Sequence, residues 1–169
     1  MAYNVKEISV TKAVAGAGNY AAEDVLSESA TDGAGTAWNF ANCGLGKGNS
    51  GVITKAIVSC ETTALTHRLT LYIFKAAPTS ELDDNAANTA VLNADIANYV
   101  GRIDFPALED LGGNSEAVAS PSTGGNLPLE FVCASGDGDL YGILVTRDAI
   151  TGETANDDYT IKLFVRQDP

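Results

Sequence analysis

The stretch Tyr159-Thr-Ile-Lys-Leu-Phe-Val-Arg166 shows a two-residue hydrophobic repeat. Its apolar series is Tyr159, Ile161, Leu163 and Val165, and its other positions are polar apart from Phe164. Because successive side chains of a β-strand point to opposite faces, this alternation predicts a half-buried strand.

The same period recurs along the chain. Residues 69–74, Leu-Thr-Leu-Tyr-Ile-Phe, alternate in the same way, and their second face is aromatic, so we expect it to be partly covered. Further strands are predicted at residues 52–60, 127–134 and 140–146, and weaker ones at 5–10, 24–28, 37–41 and 101–105. Clusters of Gly, Asn, Asp and Ser separate these runs. Eight or nine short strands indicate an all-β fold, a two-sheet β-sandwich or jelly-roll-like domain.

Two segments interrupt this rhythm. In residues 78–99, the spacing of Val91, Leu92, Ile96 and Tyr99 predicts one short amphipathic helix near residues 90–99. Residues 107–125 are polar and rich in Gly, Ser and Pro, which is typical of a long loop that is functional or ordered by a partner.

Length and composition favour one domain. A chain of 169 residues, 45% of them hydrophobic, can bury a core without disulfides or metals. We expect a single β-sandwich domain over residues 1–169, in which residues 1–20 are a candidate extended N-terminal arm.

The net charge of −12 argues against anionic partners. The ten basic residues of the chain are scattered without a basic run, which argues against binding to nucleic acid or to anionic membranes. The acidity serves either solubility or complementarity to a basic protein surface. No signal-peptide pattern and no apolar window of membrane-spanning length occur. We expect synthesis in a cytoplasm, with three reduced cysteines, Cys43, Cys60 and Cys133.

The candidate chemical motifs fail on context. Gly46-Lys-Gly48-Asn-Ser-Gly51 matches a dinucleotide fingerprint formally, but a predicted strand follows it where a helix is required, so we interpret it as a turn. His67, the single histidine, is expected at the surface or at a strand end.

Acidic clusters at residues 81–85, 137–139 and 156–158 could supply Ca²⁺ ligands, but turn chemistry explains them equally. Trp38 with Phe40 is expected to anchor the core rather than to stack on sugars. We therefore predict no catalytic, cofactor-binding or metal-binding residues, no cofactor and no enzymatic activity.

Several strand strings carry a family resemblance. They are Gly51-Val-Ile-Thr-Lys-Ala-Ile-Val-Ser-Cys60, Leu69-Thr-Leu-Tyr-Ile-Phe-Lys-Ala-Ala-Pro-Thr-Ser-Glu-Leu-Asp-Asp-Asn85, Tyr99-Val-Gly-Arg-Ile-Asp-Phe-Pro106, Asn126-Leu-Pro-Leu-Glu-Phe-Val-Cys133 and Leu140-Tyr-Gly-Ile-Leu-Val-Thr-Arg-Asp-Ala149. Over roughly residues 36–167 the chain resembles small head-associated or capsid decoration proteins encoded beside the major capsid protein of tailed bacteriophages.

The resemblance implies a non-enzymatic virion protein on the capsid surface, whose partners are the major capsid protein and further copies of itself. Residues 5–10 or the 107–125 loop are then expected to contact another subunit. The alternative is a carbohydrate-binding or adhesion β-sandwich, associated with a phage head fibre or tail. A third hypothesis is a hydrolase that uses two of the scattered carboxylates.

Overall fold

The computed structural model describes residues 4–16, 19–124, 126–152 and 154–168. Their regular structure consists of eleven β-strands and two 3-10 helices of three residues each. The strands are β1 (Asn4–Ala13), β2 (Val25–Leu26), β3 (Trp38–Phe40), β4 (Ser50–Cys60), β5 (Leu69–Phe74), β6 (Tyr99–Asp104), β7 (Glu109–Asp110), β8 (Ser115–Ala119), β9 (Leu129–Val132), β10 (Leu140–Thr146) and β11 (Asp158–Gln167). The 3-10 helices are Ile96–Asn98 and Pro121–Thr123.

Two antiparallel sheets form a sandwich. The first has six strands in the order β1-β11-β4-β8-β7, and β9 pairs with β4 beside β8. The second has five strands in the order β2-β10-β5-β6, with β3 also paired to β10. The all-β, two-sheet sandwich predicted from the hydrophobic period is therefore confirmed.

The main core lies between the sheets. The inward side chains of β11 alternate as its sequence predicts, and all four are fully buried: Tyr159, Ile161, Leu163 and Val165. Side chains from the second sheet, such as Leu71 and Ile73, meet them in one cluster. Burying each side chain of this size contributes about 1.5–3 kcal/mol.

A second apolar cluster covers the outer face of the five-stranded sheet. Tyr72, Phe74 and Ile143 belong to it, and all six residues of β5 are buried. Leu82 and Val91, from the connection between β5 and β6, pack against it. We call residues 76–98 the covering segment. The expectation that the aromatic face of β5 is covered is confirmed.

The 107–125 loop prediction is partly wrong, because this segment contributes two strands to the six-stranded sheet. Residues 115–119 form β8, which pairs with the second half of β4, and Glu109–Asp110 forms β7 beside it. The inward residues of β8, Ser115, Ala117 and Ala119, are buried but small. Such small side chains give only a weak hydrophobic period, so the sequence pattern did not reveal the strand.

The expected amphipathic helix near residues 90–99 is reduced to a single 3-10 turn at Ile96–Asn98. Val91 packs on the second cluster, but Leu92 and Ile96 are exposed. The segment is held by side-chain hydrogen bonds to its backbone, which take the place of a helical ladder.

Residues 4–13 of the candidate N-terminal arm form β1, which pairs with β11 along its whole length. β1 is an edge strand of the six-stranded sheet. Residues 1–3 and 17–18 of the same candidate arm lie outside the described residues.

Candidate interaction surface

The glycine-rich stretch at residues 46–51 forms a turn that leads into β4. The backbone N–H of Asn49 donates to the Gly46 carbonyl at 3.2 Å, and Gly48 adopts a positive φ of 73°. A strand follows the turn, so no helix N-terminus is available to hold a pyrophosphate. The interpretation of this motif as a turn is confirmed.

His67 is not a surface residue, which corrects that part of the prediction. It does precede β5, but only 5% of it is exposed, and its Nε2 lies 3.4 Å from the hydroxyl of buried Tyr159. Burial lowers the pKa of His67 to about 4, against the opposing effect of the Asp148 charge. The imidazole is therefore neutral at pH 7 and lies in the core.

The acidic cluster at residues 81–85 binds backbone groups of neighbouring loops. Asp83 accepts hydrogen bonds from the N–H groups of Gly33 and Gly35, both at 2.7 Å. Asp84 accepts from the Tyr20 hydroxyl and from the N–H of Ser27. These carboxylates therefore tie the covering segment to the rest of the sandwich.

Asp95 performs the same task within the covering segment. Its two carboxylate oxygens accept from the N–H and hydroxyl groups of both Thr79 and Ser80, at 2.6–2.9 Å. Burial alone would raise its pKa, but these hydrogen bonds outweigh it and hold the pKa below its usual value. Asp95 is thus buried and ionised, and its hydrogen bonds hold Thr79 and Ser80 in place.

The 137–139 cluster stands in a turn, and the 156–158 cluster leads from a turn into Asp158, the first residue of β11. Asp137 accepts from the N–H groups of Gly138 and Asp139 and from the Tyr141 hydroxyl, and this last bond raises the pKa of Tyr141 to about 12. In the third cluster, the carbonyl of Asp157 accepts from the N–H of Val14. Among the described residues, no group of three His, Cys, Asp or Glu side chains is placed to hold a metal ion.

Trp38 is a core anchor, as predicted. It is 1% exposed, and its indole N–H points to the Leu26 carbonyl at 3.4 Å. Phe40 beside it on β3 is fully buried. A ring enclosed in this way cannot stack on a sugar from solvent.

The three cysteines are buried in the core and are not joined in disulfides. Burial raises the pKa of Cys43 to about 12 and also raises that of Cys133. Thiols with raised pKa values are poor nucleophiles, so Cys43 and Cys133 act as small hydrophobic residues.

The outer face of the six-stranded sheet differs from that of its partner sheet, because no described segment packs across it in the way the covering segment does. Among its apolar members, Val118 pairs with Ile57, and Phe164 lies diagonally opposite Ile57 on β11; all three are partly buried. Val5 on β1 pairs with Arg166 and is 68% exposed. Lys55 lies over the Phe164 ring, 3.9 Å from its centroid. We call this surface the open face. Its members are Val5, Glu7, Ser9, Thr11, Val52, Lys55, Ile57, Ser59, Glu116, Val118, Glu130, Val132, Thr160, Lys162, Phe164 and Arg166.

The open face is nearly neutral although the chain is strongly acidic. Its cations are Lys55, Lys162 and Arg166, and its carboxylates are Glu7, Glu116 and Glu130, which gives a formal charge of zero. Even with Glu109 and Asp158 at its margin, the face carries −2, so at least ten of the twelve net negative charges lie elsewhere.

Two lysines on the edge strand β1 point toward the other sheet. Lys12 pairs with Glu28 at 2.6 Å, and Lys6 donates to the Asn42 carbonyl at 3.0 Å. Inward lysines on an edge strand oppose the addition of another strand. The open face is therefore better suited to a partner than this edge.

A groove of about 500 Å³ borders the open face. It passes between β9 and the junction of β5 with β6, where Lys75, Tyr99 and Val100 meet Phe131 and Val132. The groove extends the open face around the edge of the sandwich.

One cluster of charged residues is not evident in the sequence. The basic residues are scattered along the chain, but Arg68, Arg102 and Arg147 line a single pocket in the structure. Each comes from a different strand region, so only the sheet register brings them together.

No model of a known protein family matches this chain, and no curated protein sequence matches it significantly. Among the described residues, no helix is long and apolar enough to cross a membrane.

Proposed function

We propose that this protein is a non-enzymatic structural protein of a tailed-phage virion, which covers and stabilises the capsid exterior through protein–protein contacts. The observation that carries the proposal is the contrast between the two sheets. One outer face is covered by the chain's own residues 76–98, and the other is left as an uncovered, nearly neutral surface with apolar side chains.

Charge supports this orientation. The open face balances three cations against three carboxylates, so it lacks the net negative charge of the rest of the surface and would not repel an acidic partner. The acidic remainder of the surface would then face solvent, where like charges keep neighbouring particles apart. The family resemblance of the strand strings points in the same direction.

The size of the open face indicates several contacts rather than one. Strand spacing and rise give it dimensions of roughly 20 Å by 22 Å. The resulting area is about half of the roughly 800 Å² that each partner contributes to a stable interface. We therefore expect the groove and a second copy of the chain to contribute, with coat protein on the open face. Contact through residues 5–10 or 107–125 stays a prediction.

Binding to isolated capsids tests the proposal. Val5→Glu places a charge on the open face, and Ile96→Glu is the matched control, because Ile96 is 57% exposed on the covering segment. We expect the wild type and the control to sediment with capsids that lack the protein, and Val5→Glu to lose binding. Equal binding by both variants would place the docking surface elsewhere, and no binding by the wild type would reject a capsid role.

A further inference from the structure

Three of the four arginines meet at the end of the five-stranded sheet that the covering segment leaves open. Arg68 precedes β5, Arg102 lies in β6 and Arg147 follows β10. They line a cavity of about 290 Å³, which we call the arginine pocket. Its other lining residues are Leu69, Thr70, Asp104, Phe105, Pro106 and Gly124.

The sheet register places two of these arginines directly opposite each other. The N–H of Arg147 donates to the Arg68 carbonyl at 2.9 Å, which continues the pairing of β10 with β5. Like charges at opposed positions of neighbouring strands are destabilising. The arrangement therefore costs stability unless negative groups lie between the side chains.

Three carboxylates of the chain balance this charge formally. Asp148 pairs with Arg68 at 2.7 Å, Glu23 with Arg147 at 2.7 Å and Asp104 with Arg102 at 3.3 Å. The arginine side chains remain 59%, 34% and 47% exposed, respectively. Exposed pairs of this kind contribute only about 0–1 kcal/mol each, so fold stability gives little reason for the cluster.

The pairs also leave hydrogen-bonding capacity directed at the pocket. Arg102 engages Asp104 through Nε, and Arg147 engages Glu23 through Nη1. A guanidinium carries five N–H donors, so most of theirs are not used by these partners within the described residues. Asp104 is itself occupied, because it also accepts from Thr70 and Asn126.

We infer that the arginine pocket binds an oxyanion, a carboxylate or phosphate group, between Arg102 and Arg147. The planar guanidinium matches both groups in geometry, and two or three of them hold one anion more firmly than exposed lysines do. The bound anion would replace the exposed Glu23 carboxylate as the partner of Arg147. This inference stands independently of the capsid role.

Titration of ¹⁵N-labelled protein with inorganic phosphate, and separately with citrate, tests the inference and distinguishes the two sources. We expect saturable shifts of the Arg102 and Arg147 Nε–H signals with at least one of the two anions. Arg102→Gln and Arg147→Gln should each weaken binding by roughly tenfold, the loss of one charged hydrogen bond. Lys162→Gln, with the same change of charge on the opposite sheet, should not.

Saturation by phosphate alone identifies a phosphate site, and saturation by citrate, alone or with phosphate, identifies a site that accepts carboxylates. The inference is overturned if neither anion saturates these signals at millimolar concentration. It is also overturned if the shifts map outside the pocket, or if the Lys162→Gln variant loses as much affinity as the arginine variants. Because the wild-type shifts locate the site directly, this result does not depend on the folding of any variant.

Discussion

Neutral His67 in the core makes the stability of the protein depend on pH between about 4 and 6.5. The folded-state pKa is lowered by burial to about 4, against an ordinary value of 6.5. Between these two values the unfolded chain binds a proton that the folded chain does not. The stabilisation is therefore fully present above pH 6.5 and is lost as the pH falls toward 4.

The size of the effect follows from the two pKa values. A pKa of about 4 in the folded state against 6.5 in the unfolded state corresponds to about 3 kcal/mol. That is a large share of the roughly 5–15 kcal/mol by which a domain is normally stable. Carboxylates with lowered pKa values, such as Asp95 and Asp148, lose their contribution below about pH 4, outside most of this window.

Urea unfolding at pH 7.0, 6.0, 5.0 and 4.5 measures the effect, with wild type and His67→Gln compared at each pH. We expect the variant to be the less stable protein at pH 7, because it disturbs the contact with Tyr159. The gap should shrink by about 2–3 kcal/mol as the pH falls to 4.5, since glutamine does not titrate. Parallel profiles for the two proteins, or an NMR titration of His67 near pH 6.5, would refute the reasoning.

Three further predictions concern the covering segment, the packing of the sheets and the thiols. Asp95→Ala should reduce the free energy of urea unfolding by about 2–4 kcal/mol, because it leaves buried donors without their acceptor. The control Asp32→Ala, at an exposed position, should change this free energy little. Gly142→Ala should lower the free energy of unfolding, measured by thermal unfolding, by about 1–3 kcal/mol, because the new Cβ would lie 2.8 Å from Leu71 Cδ1. The control is Gly113→Ala, where no atom lies within 4 Å of the new Cβ. A loss of stability in Gly142→Ala no larger than in this control would contradict the prediction. Ellman's reagent should leave the folded protein unmodified and should label three thiols per chain in urea; rapid labelling at neutral pH without denaturant would contradict the burial of Cys43, Cys60 and Cys133.

Strong hydrophobic periods were sufficient to predict most of the sandwich. β11 and β5 combine large alternating side chains with clear turn residues, and both strands lie where the sequence places them. β8 was missed because its buried side chains are Ser and Ala, which do not stand out from a polar loop. Strand pairing, not side-chain size, holds residues 115–119 in the sheet.

The features that concern function could be predicted only in part. Turn chemistry explains Asp137, whose carboxylate accepts from the N–H groups of Gly138 and Asp139. It does not explain Asp83, whose partners Gly33 and Gly35 lie 50 and 48 residues away in the sequence. The burial of His67 and the meeting of Arg68 with Arg147 could not be predicted, since both depend on the register between strands distant in the sequence. The open face could not be predicted either, because the hydrophobic pattern does not indicate which sheet the covering segment packs on.

The capsid role is tested most directly by the particle itself. The measurement is the copy number and placement of this chain in virions purified from cultures that produce it, by quantitative mass spectrometry and electron cryomicroscopy. We expect a fixed, simple ratio to the major capsid protein, with the open face of the six-stranded sheet toward the coat and the covering segment toward solvent. Absence of the chain from purified virions, or its presence with the open face exposed to solvent, would contradict the proposal.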